Sequence, residues 1–360
     1  MSENQPTQSM ASDPSKQNDS APAETTSTAG QASSAPFPTR VFVTGASGFV
    51  GSAIVRELVS RGHKAVCLLR DRQRFVGGLR DISVDRIETV NGDLFDAAAL
   101  SAGVAGADAV IHLVGIITED RLRGQTFSRI HTEGTQRVVE ATCAAGVRRY
   151  VHMSALGVRP DAVSTYHKTK WAAENIVRKS GLDWTIFRPS LIHGPGGEFM
   201  RMMKVFVCDA MVPALGFIPS PFPVIPYFGD GQNRLQPVSV KDVAHCFVAA
   251  LSKPETIGKS YELGGANALS WKELYRDCRE LIPGAKAWKP MVGLPVSVAN
   301  LVASTIMKTP LLPKMLRFNV GQVQMSQEDS VCDITPVEQA FGIRMRDFRS
   351  ELAAYAAQID

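Results

Sequence analysis

What this 360-residue chain lacks narrows its chemistry before any motif is read. Cys67, Cys143, Cys208, Cys246, Cys278 and Cys332 lie far apart, with no C-x-x-C pair and no His-flanked cluster. That spacing argues against a zinc site or a redox dithiol, so no metal is expected, and it suits reduced, mostly buried thiols in a cytosolic compartment. No block of five or more basic residues occurs, and a formal charge of +4 spread over the whole length leaves no nucleic-acid footprint. The N-terminus has no apolar segment behind a basic start, and Lys16 is its only cation before Arg40, so neither a secretory signal nor an Arg-rich transit peptide fits. Prolines and charges interrupt every apolar run before it reaches the roughly 18 residues of a spanning helix. The expectation is a cytoplasmic protein whose contact with a membrane, if any, is peripheral.

What is present begins with a polar tail. Residues 1–38 are dominated by Ser, Thr, Ala, Gln and Pro, too poor in large apolar side chains to offset the entropy of ordering, and are expected to be disordered. From Arg40 the pattern changes to short apolar strands, "RVFVTG", "KAVCLLR", "IETVNGD", "DAVIHLVG", "RRYVHMSA" and "DWTIFRPS", with helical stretches at 49–61, 126–145 and 164–179. Such alternation implies βαβ units and a parallel sheet covered on both faces. After Ser190 the alternation breaks down, and 191–360 reads as a mixed C-terminal cap that completes the fold. Helices are expected at 240–252, 270–281 and 336–356, with "SYELGG" as a strand and Asp242 as the cap of the first helix.

The stretch "VFVTGASGFVG" places Gly45, Gly48 and Gly51 between a β-branched strand and an amphipathic helix, the setting in which a glycine triplet indicates dinucleotide binding. Gly45 would allow the tight turn, Gly48 the approach of a pyrophosphate and Gly51 the close packing of helix on strand. Ser47, Phe49 and Val50 share this loop, and the free N–H groups of the helix's first turn would favour phosphate. The G-x-x-G-x-x-G spacing, with "VNGDLFD", "VIHLVG", "EGTQRVVEATCAAGVRRYVHMSALG", "YHKTK" and "RPSLIHGPGG", resembles the extended and atypical short-chain dehydrogenase/reductase superfamily over about 40–245. "HLVGII", "RPSLIHGPG" and "NRLQPVSVKDVA" make the chain similar, more narrowly, to bacterial relatives of the NADPH-binding accessory subunit of mitochondrial respiratory complex I. The resemblance implies an α/β fold, a Rossmann doubly wound parallel sheet at 39–190 with a smaller C-terminal cap.

In NAD-specific Rossmann domains a carboxylate about twenty residues past the loop binds the ribose hydroxyls. Here Arg70 ends that strand, and a guanidinium suits a 2′-phosphate, which favours NADP(H) over NAD(H). Asp71 is adjacent, and a shift of one residue would reverse the sign. Arg70, Arg72 and Arg74 also fit a solvated basic loop. The resemblance implies that Asp93 and Leu94 flank the adenine, that Val114 and Gly115 pass close to the nicotinamide-side ribose, and that Pro189 shapes the nicotinamide end of the cleft.

Tyr166 and Lys170, four residues apart, share a helix face. An ammonium beside a phenol favours the phenolate and would make Tyr166 a useful acid or base, while Lys170 could also bind the ribose. The resemblance adds Ser154 as the group that polarises a substrate carbonyl, and sets His131 where relatives usually carry Asn. The plainer alternative has Lys170 binding ribose only while Tyr166 packs at the rim. His112, His152, His167 and His193 read as strand, loop or rim residues. The apolar segments 205–228 and 291–318 either pack on the core or form a lid, a lipophilic site or a contact with a membrane or respiratory-complex surface. Prolines within 205–228 speak against a regular helix or central strand there.

Three functions follow from these residues. One is an NAD(P)-dependent oxidoreductase or epimerase acting on a small, lipophilic carbonyl or carbinol substrate. Another is a non-catalytic NADPH-binding accessory or assembly protein linked to respiratory or quinone metabolism. The third is a nucleotide-sensing regulator.

Overall fold

A computed structural model of the chain describes residues 40–71, 75, 84–208, 224–305 and 318–359. The expected tail at 1–38, Arg72, Arg74 and parts of both apolar segments lie outside the described residues. Strand β1 (Arg40–Thr44) turns into helix α1 (Phe49–Ser60), and β2 (Lys64–Leu69), β3 (Ile87–Asn91), α2 (Ala97–Val104) and β4 (Ala109–His112) follow. A π-helical turn at Ser128–Glu133 runs straight into α3 (Gly134–Ala144), so the helix expected at 126–145 is wound in two ways. Then come β5 (Arg149–Met153), α4 (Thr165–Lys179) and β6 (Asp183–Pro189).

The second half contributes β7 (Ile192–His193), α5 (Glu198–Val207), β8 (Ile225–Phe228), β9 (Arg234–Leu235), β10 (Val238–Ser239), α6 (Val240–Ala250), β11 (Lys259–Leu263) and β12 (Leu269–Ser270). It ends with α7 (Trp271–Leu281), β13 (Met291–Leu294), α8 (Val296–Ser304), α9 (Val320–Met325), α10 (Thr335–Phe341) and α11 (Phe348–Tyr355). The expected helix at 336–356 is therefore two helices. Gly342 ends the first at φ +66°, a left-handed conformation that a side chain would resist. The cap of α6 is Ser239, whose hydroxyl accepts the Lys241 N–H, and not Asp242. Asp242 is buried and binds the Arg346 backbone N–H at 2.9 Å and its guanidinium, tying α6 to the C-terminal segment.

The main sheet is a doubly wound, all-parallel α/β sheet of seven strands in the order β11-β6-β5-β4-β1-β2-β3. The "SYELGG" strand is thus its outer member, donated by the second half. Alternation along β1 sends Val41 and Val43 into one hydrophobic layer and Phe42 into the other. The first layer holds Ile54, Val55 and Leu58 of α1, with Val243 and Phe247 of α6. The second holds Leu100 of α2, Val138 of α3 and Val177 of α4. Both sheet faces are buried, which is why its strands read as unbroken apolar runs.

A further cluster joins Met200 and Met203 of α5 to Leu274 and Cys278 of α7 and to Phe348 and Leu352 of α11. In the 205–228 segment α5 continues to Val207, and Ile225–Phe228 forms a short strand that contains Pro226. It is tolerated because, among the described residues, β8 pairs only with β13, on whose side the N–H groups of Ile225 and Gly229 are taken, which leaves position 226 facing the other side. Within 291–318, α8 and α9 share a small cluster around Ala299, Ala303 and Val323.

Candidate active site

Strand order reverses between β1 and β4, and the crevice beyond their carboxyl ends is where open α/β sheets bind ligands. The β1–α1 turn lies at that edge. Gly45 has φ +79°, and an added Cβ there would lie 3.3 Å from Leu113 and Val114, so the turn and the end of β4 close on each other. At Gly51 a Cβ would fall 2.1 Å from the Gly45 carbonyl oxygen, which makes glycine obligatory for helix and turn to meet. Ser47 and Gly48 are exposed, and α1 begins without a side-chain cap or an acidic residue in its first turn. Its unsatisfied N–H groups and positive dipole end thus face outward, a cradle that fits the pyrophosphate of a dinucleotide. Phe49 packs beside Gly194 and Gly197, and Val50 against the core beneath.

Next to this cradle, Arg70, Asn91, Gly92, Asp93, Phe95 and Asp96 line an open concavity of about 340 Å³. Arg70 is exposed and makes no ion pair among the described residues. Asp93 caps the turn through the Phe95 N–H at 2.8 Å, and Asp96 caps α2 through the Ala99 N–H. Leu94 is buried under Gly134, where a Cβ would meet it at 2.7 Å. Arg129 lies 4.3 Å above the Phe95 ring, adding an aromatic and a second cation that the sequence pattern did not single out. Phe95, two residues after Asp93, was the available clue.

Beyond β4 and β5, Tyr166 and Lys170 lie on α4, whose cap is Ser164 accepting the His167 N–H. Lys170 is buried and donates from Nζ to the Met153 carbonyl at 2.9 Å. A Cβ at Gly115 would sit 3.0 Å from that Nζ and 3.6 Å from His131 Nε2, so Gly115, Lys170 and His131 converge. Burial lowers the Lys170 pKa to about 8, against the pull of Glu174. Tyr166 is half-buried, with Phe127, His131 and His167 set edge-on to its ring at 5.8, 5.3 and 5.3 Å. Burial pushes its phenol up to about 12, so the expected stabilisation of a phenolate by the neighbouring ammonium does not govern this arrangement. Pro189 is buried at the end of β6, where its carbonyl accepts the Leu156 N–H.

Ser154 directly follows β5, and its N–H donates to the Phe187 carbonyl at 2.7 Å. It is 3% exposed, and its hydroxyl makes no hydrogen bond of ordinary geometry among the described residues, though it lies near enough to the Glu174 carboxylate to help lower its pKa. Glu174 is wholly buried, one helical turn beyond Lys170, and its carboxylate takes Arg188 at 2.7 and 2.9 Å and Arg178 at 2.6 Å. Burial alone would raise its pKa; the Arg188 and Ser154 donors and the two guanidiniums outweigh that and hold it low. This cluster locks α4 to β6. Its sequence signals were a glutamate four residues after Lys170 and an arginine just before Pro189. His112 and His152 are buried on β4 and β5, and burial lowers both pKa values, that of His112 to about 3.

The rim of this end is apolar. Ile117, two residues past Gly115, is 55% exposed, and Val163, three before Tyr166, is 59% exposed. Helix α9 and its flanks join both loops: Asn319 Nδ2 donates to the Ile117 carbonyl at 3.4 Å, and Arg159 donates to Glu328 at 3.0 Å. Among the described residues no helix is long and apolar enough to cross a membrane.

Residues 41–264 match the model of the family described as NAD dependent epimerase/dehydratase. The chain is 29% identical over 314 residues to the mitochondrial NADH dehydrogenase (ubiquinone) 1 alpha subcomplex subunit 9 of Arabidopsis thaliana, covering 84% of this chain and 73% of that protein. It is 32% identical over 248 residues to a ceramide reductase of Caulobacter vibrioides, covering 68% and 71%. In fold it resembles the dTDP-glucose 4,6-dehydratase DesIV of Streptomyces venezuelae, solved with NAD bound, at a TM-score of 0.63 and 23% identity over 88% of this chain and 95% of that one.

Proposed function

This chain belongs to the NAD dependent epimerase/dehydratase family, and from that membership we propose that it is an NADP(H)-favouring oxidoreductase acting on a lipophilic carbonyl or carbinol substrate. The observation that carries this reading is the convergence of Gly115 with the buried Lys170 ammonium on the helix face that bears Tyr166. A bound nicotinamide cofactor would supply the hydride. The β1–α1 turn, with Gly45, Ser47, Gly48 and Gly51, would hold the pyrophosphate, and Arg70 the 2′-phosphate.

Tyr166 keeps its proton at neutral pH, its phenol pushed up to about 12 by burial, and would give that proton to a carbonyl oxygen in the reduction and take it back in the reverse reaction. Lys170, with a pKa of about 8, remains charged below that pH and would bind the ribose and support the phenolate left after proton transfer. Exposed Ile117 and Val163 at the rim support an apolar substrate, in line with the ceramide reductase among the relatives.

The test is consumption of NADPH over long-chain ketones, quinones and sugar nucleotides. Turnover should appear with an apolar ketone and fall at least about 100-fold in Tyr166→Phe, the usual contribution of an acid–base group. A Tyr166→Phe variant as fast as the parent would refute the assignment.

A second reading is favoured by the relatives named as subunits of NADH dehydrogenase and of NADH-ubiquinone oxidoreductase. In that reading the chain would bind NADPH without turning it over, as an accessory protein of a respiratory complex. NADPH fluorescence that shifts on binding but never decays across the same panel would select this alternative.

A further inference from the structure

His131 is buried between the loop that follows β4 and helix α4, and both ring nitrogens are engaged. Nδ1 lies 2.9 Å from Thr169 Oγ1, and Nε2 lies 3.1 Å from the Ile116 backbone N–H. Thr169 has a single hydroxyl proton, and the helix carbonyls of Tyr166 at 2.9 Å and Thr165 at 3.0 Å accept it. Oγ1 therefore acts as acceptor toward the ring, and Nδ1 carries the imidazole proton. Nε2 is then the acceptor for Ile116 N–H, which has no other partner among the described residues. The alternative tautomer would turn Nε2–H toward the Ile116 carbonyl, also at 3.1 Å, and leave that half-buried amide unpaired.

We propose that His131, as the neutral Nδ1–H tautomer, is a positioning residue that clamps the Gly115–Ile116 turn to Thr169 and so sets the spacing between Gly115 and the Lys170 ammonium. This rests on the reading of the chain as a dinucleotide-binding protein. The clamp joins the two elements that border the nicotinamide end of the cleft, while the pyrophosphate cradle and the Arg70 concavity lie on β1, β2 and β3. Its loss should therefore weaken one half of the cofactor site and spare the other. Neutrality suits the position: burial, then the Lys170 charge facing the ring and the neighbouring His112, lower its pKa to about 2, although the Ile116 contact opposes this. A charged imidazolium would turn its second N–H to the Ile116 carbonyl, leave the Ile116 amide without its acceptor and repel Lys170.

The full chain is titrated with NADPH and with 2′,5′-ADP, which lacks the nicotinamide half, as wild type, His131→Ala and His131→Gln. The alanine variant should bind NADPH about 10-fold more weakly and 2′,5′-ADP within twofold. Glutamine, whose amide offers a donor and an acceptor at similar reach, should recover most of the difference. Equal loss for both ligands, or no loss for NADPH, overturns the proposal. The ¹⁵N resonances of His131 in the wild type provide a test independent of any variant's folding. They should report protonated Nδ1, unprotonated Nε2 and no titration between pH 6 and 8; Nε2 protonation or titration in that range overturns it. If the wild type binds neither NADPH nor NADH, the functional reading fails while the ¹⁵N measurement still decides the clamp.

Discussion

Replacing Gly51 by alanine tests whether the glycine turn is built for close packing. The new Cβ would stand 2.1 Å from the Gly45 carbonyl oxygen, 2.7 Å from Ala46 Cα and 2.8 Å from the Gly45 carbonyl carbon, all backbone atoms that no rotamer change can move aside. Ordinary contact needs about 3.4 Å, so helix and turn must separate by about 1.3 Å. Ile54, Val55 and Leu58 on the same helix are locked in the core and resist that motion. Overpacking of this kind costs about 1–3 kcal/mol or more. At about 2 °C of melting temperature per kcal/mol for a domain this large, Gly51→Ala should melt about 4 °C lower and lose stabilisation by NADPH. Gly48→Ala is the control. Its Cβ would meet only the Gly45 oxygen at 3.2 Å, and its φ of −77° suits alanine, so melting should change by no more than about 1 °C. Because Gly48 is exposed at the start of α1, the same variant should still bind NADPH about 10-fold more weakly. Differential scanning fluorimetry with and without NADPH reads both. A Gly51→Ala protein that melts and binds like the parent would refute the packing argument, and unchanged binding by Gly48→Ala would refute the phosphate assignment.

Three other perturbations probe the rest of the site. Lys170 has a folded pKa of about 8 against 10.5 unfolded, so its burial penalty is present below pH 8 and is relieved as pH rises to 10.5; relative to Lys170→Met, the parent should gain about 3 kcal/mol over that window. Urea unfolding at pH 7.5 and pH 10 measures the difference, and parallel changes in the two proteins would refute the shift. Glu174→Gln leaves two guanidiniums without their buried carboxylate and should cost about 3 kcal/mol at neutral pH. Because the Glu174 pKa is lowered on folding, this stabilisation is lost as pH falls through the folded value, so parent and variant should converge in acid; a constant gap would contradict the assignment. Arg70→Glu should weaken NADPH binding about 10-fold or more while leaving NADH within about threefold, and equal effects would remove the 2′-phosphate role.

Sequence alone determined the sheet and the cradle, because both depend on local signals: apolar runs of strand length, the glycine triplet between a strand and a helix, and a Tyr and Lys on one helix face. Its misreadings were also local in origin. Asp242 has a cap's chemistry, but Ser239 precedes the first helical turn and takes that role; the run at 336–356 has helical periodicity, but Gly342 adopts a left-handed conformation that ends it. Tertiary structure decided the rest, because burial and partners come from elements distant in the chain. The second half supplies the outer strand at Lys259–Leu263 that pairs with β6, and Arg188 on β6 reaches Glu174 on α4. Desolvation then sets Tyr166 and Lys170 to about 12 and about 8, a shift that no spacing of residues encodes. Ser154 and Tyr166 stand twelve positions apart in a pattern that pairs them, but only the fold shows that the serine hydroxyl is buried and without a hydrogen bond among the described residues.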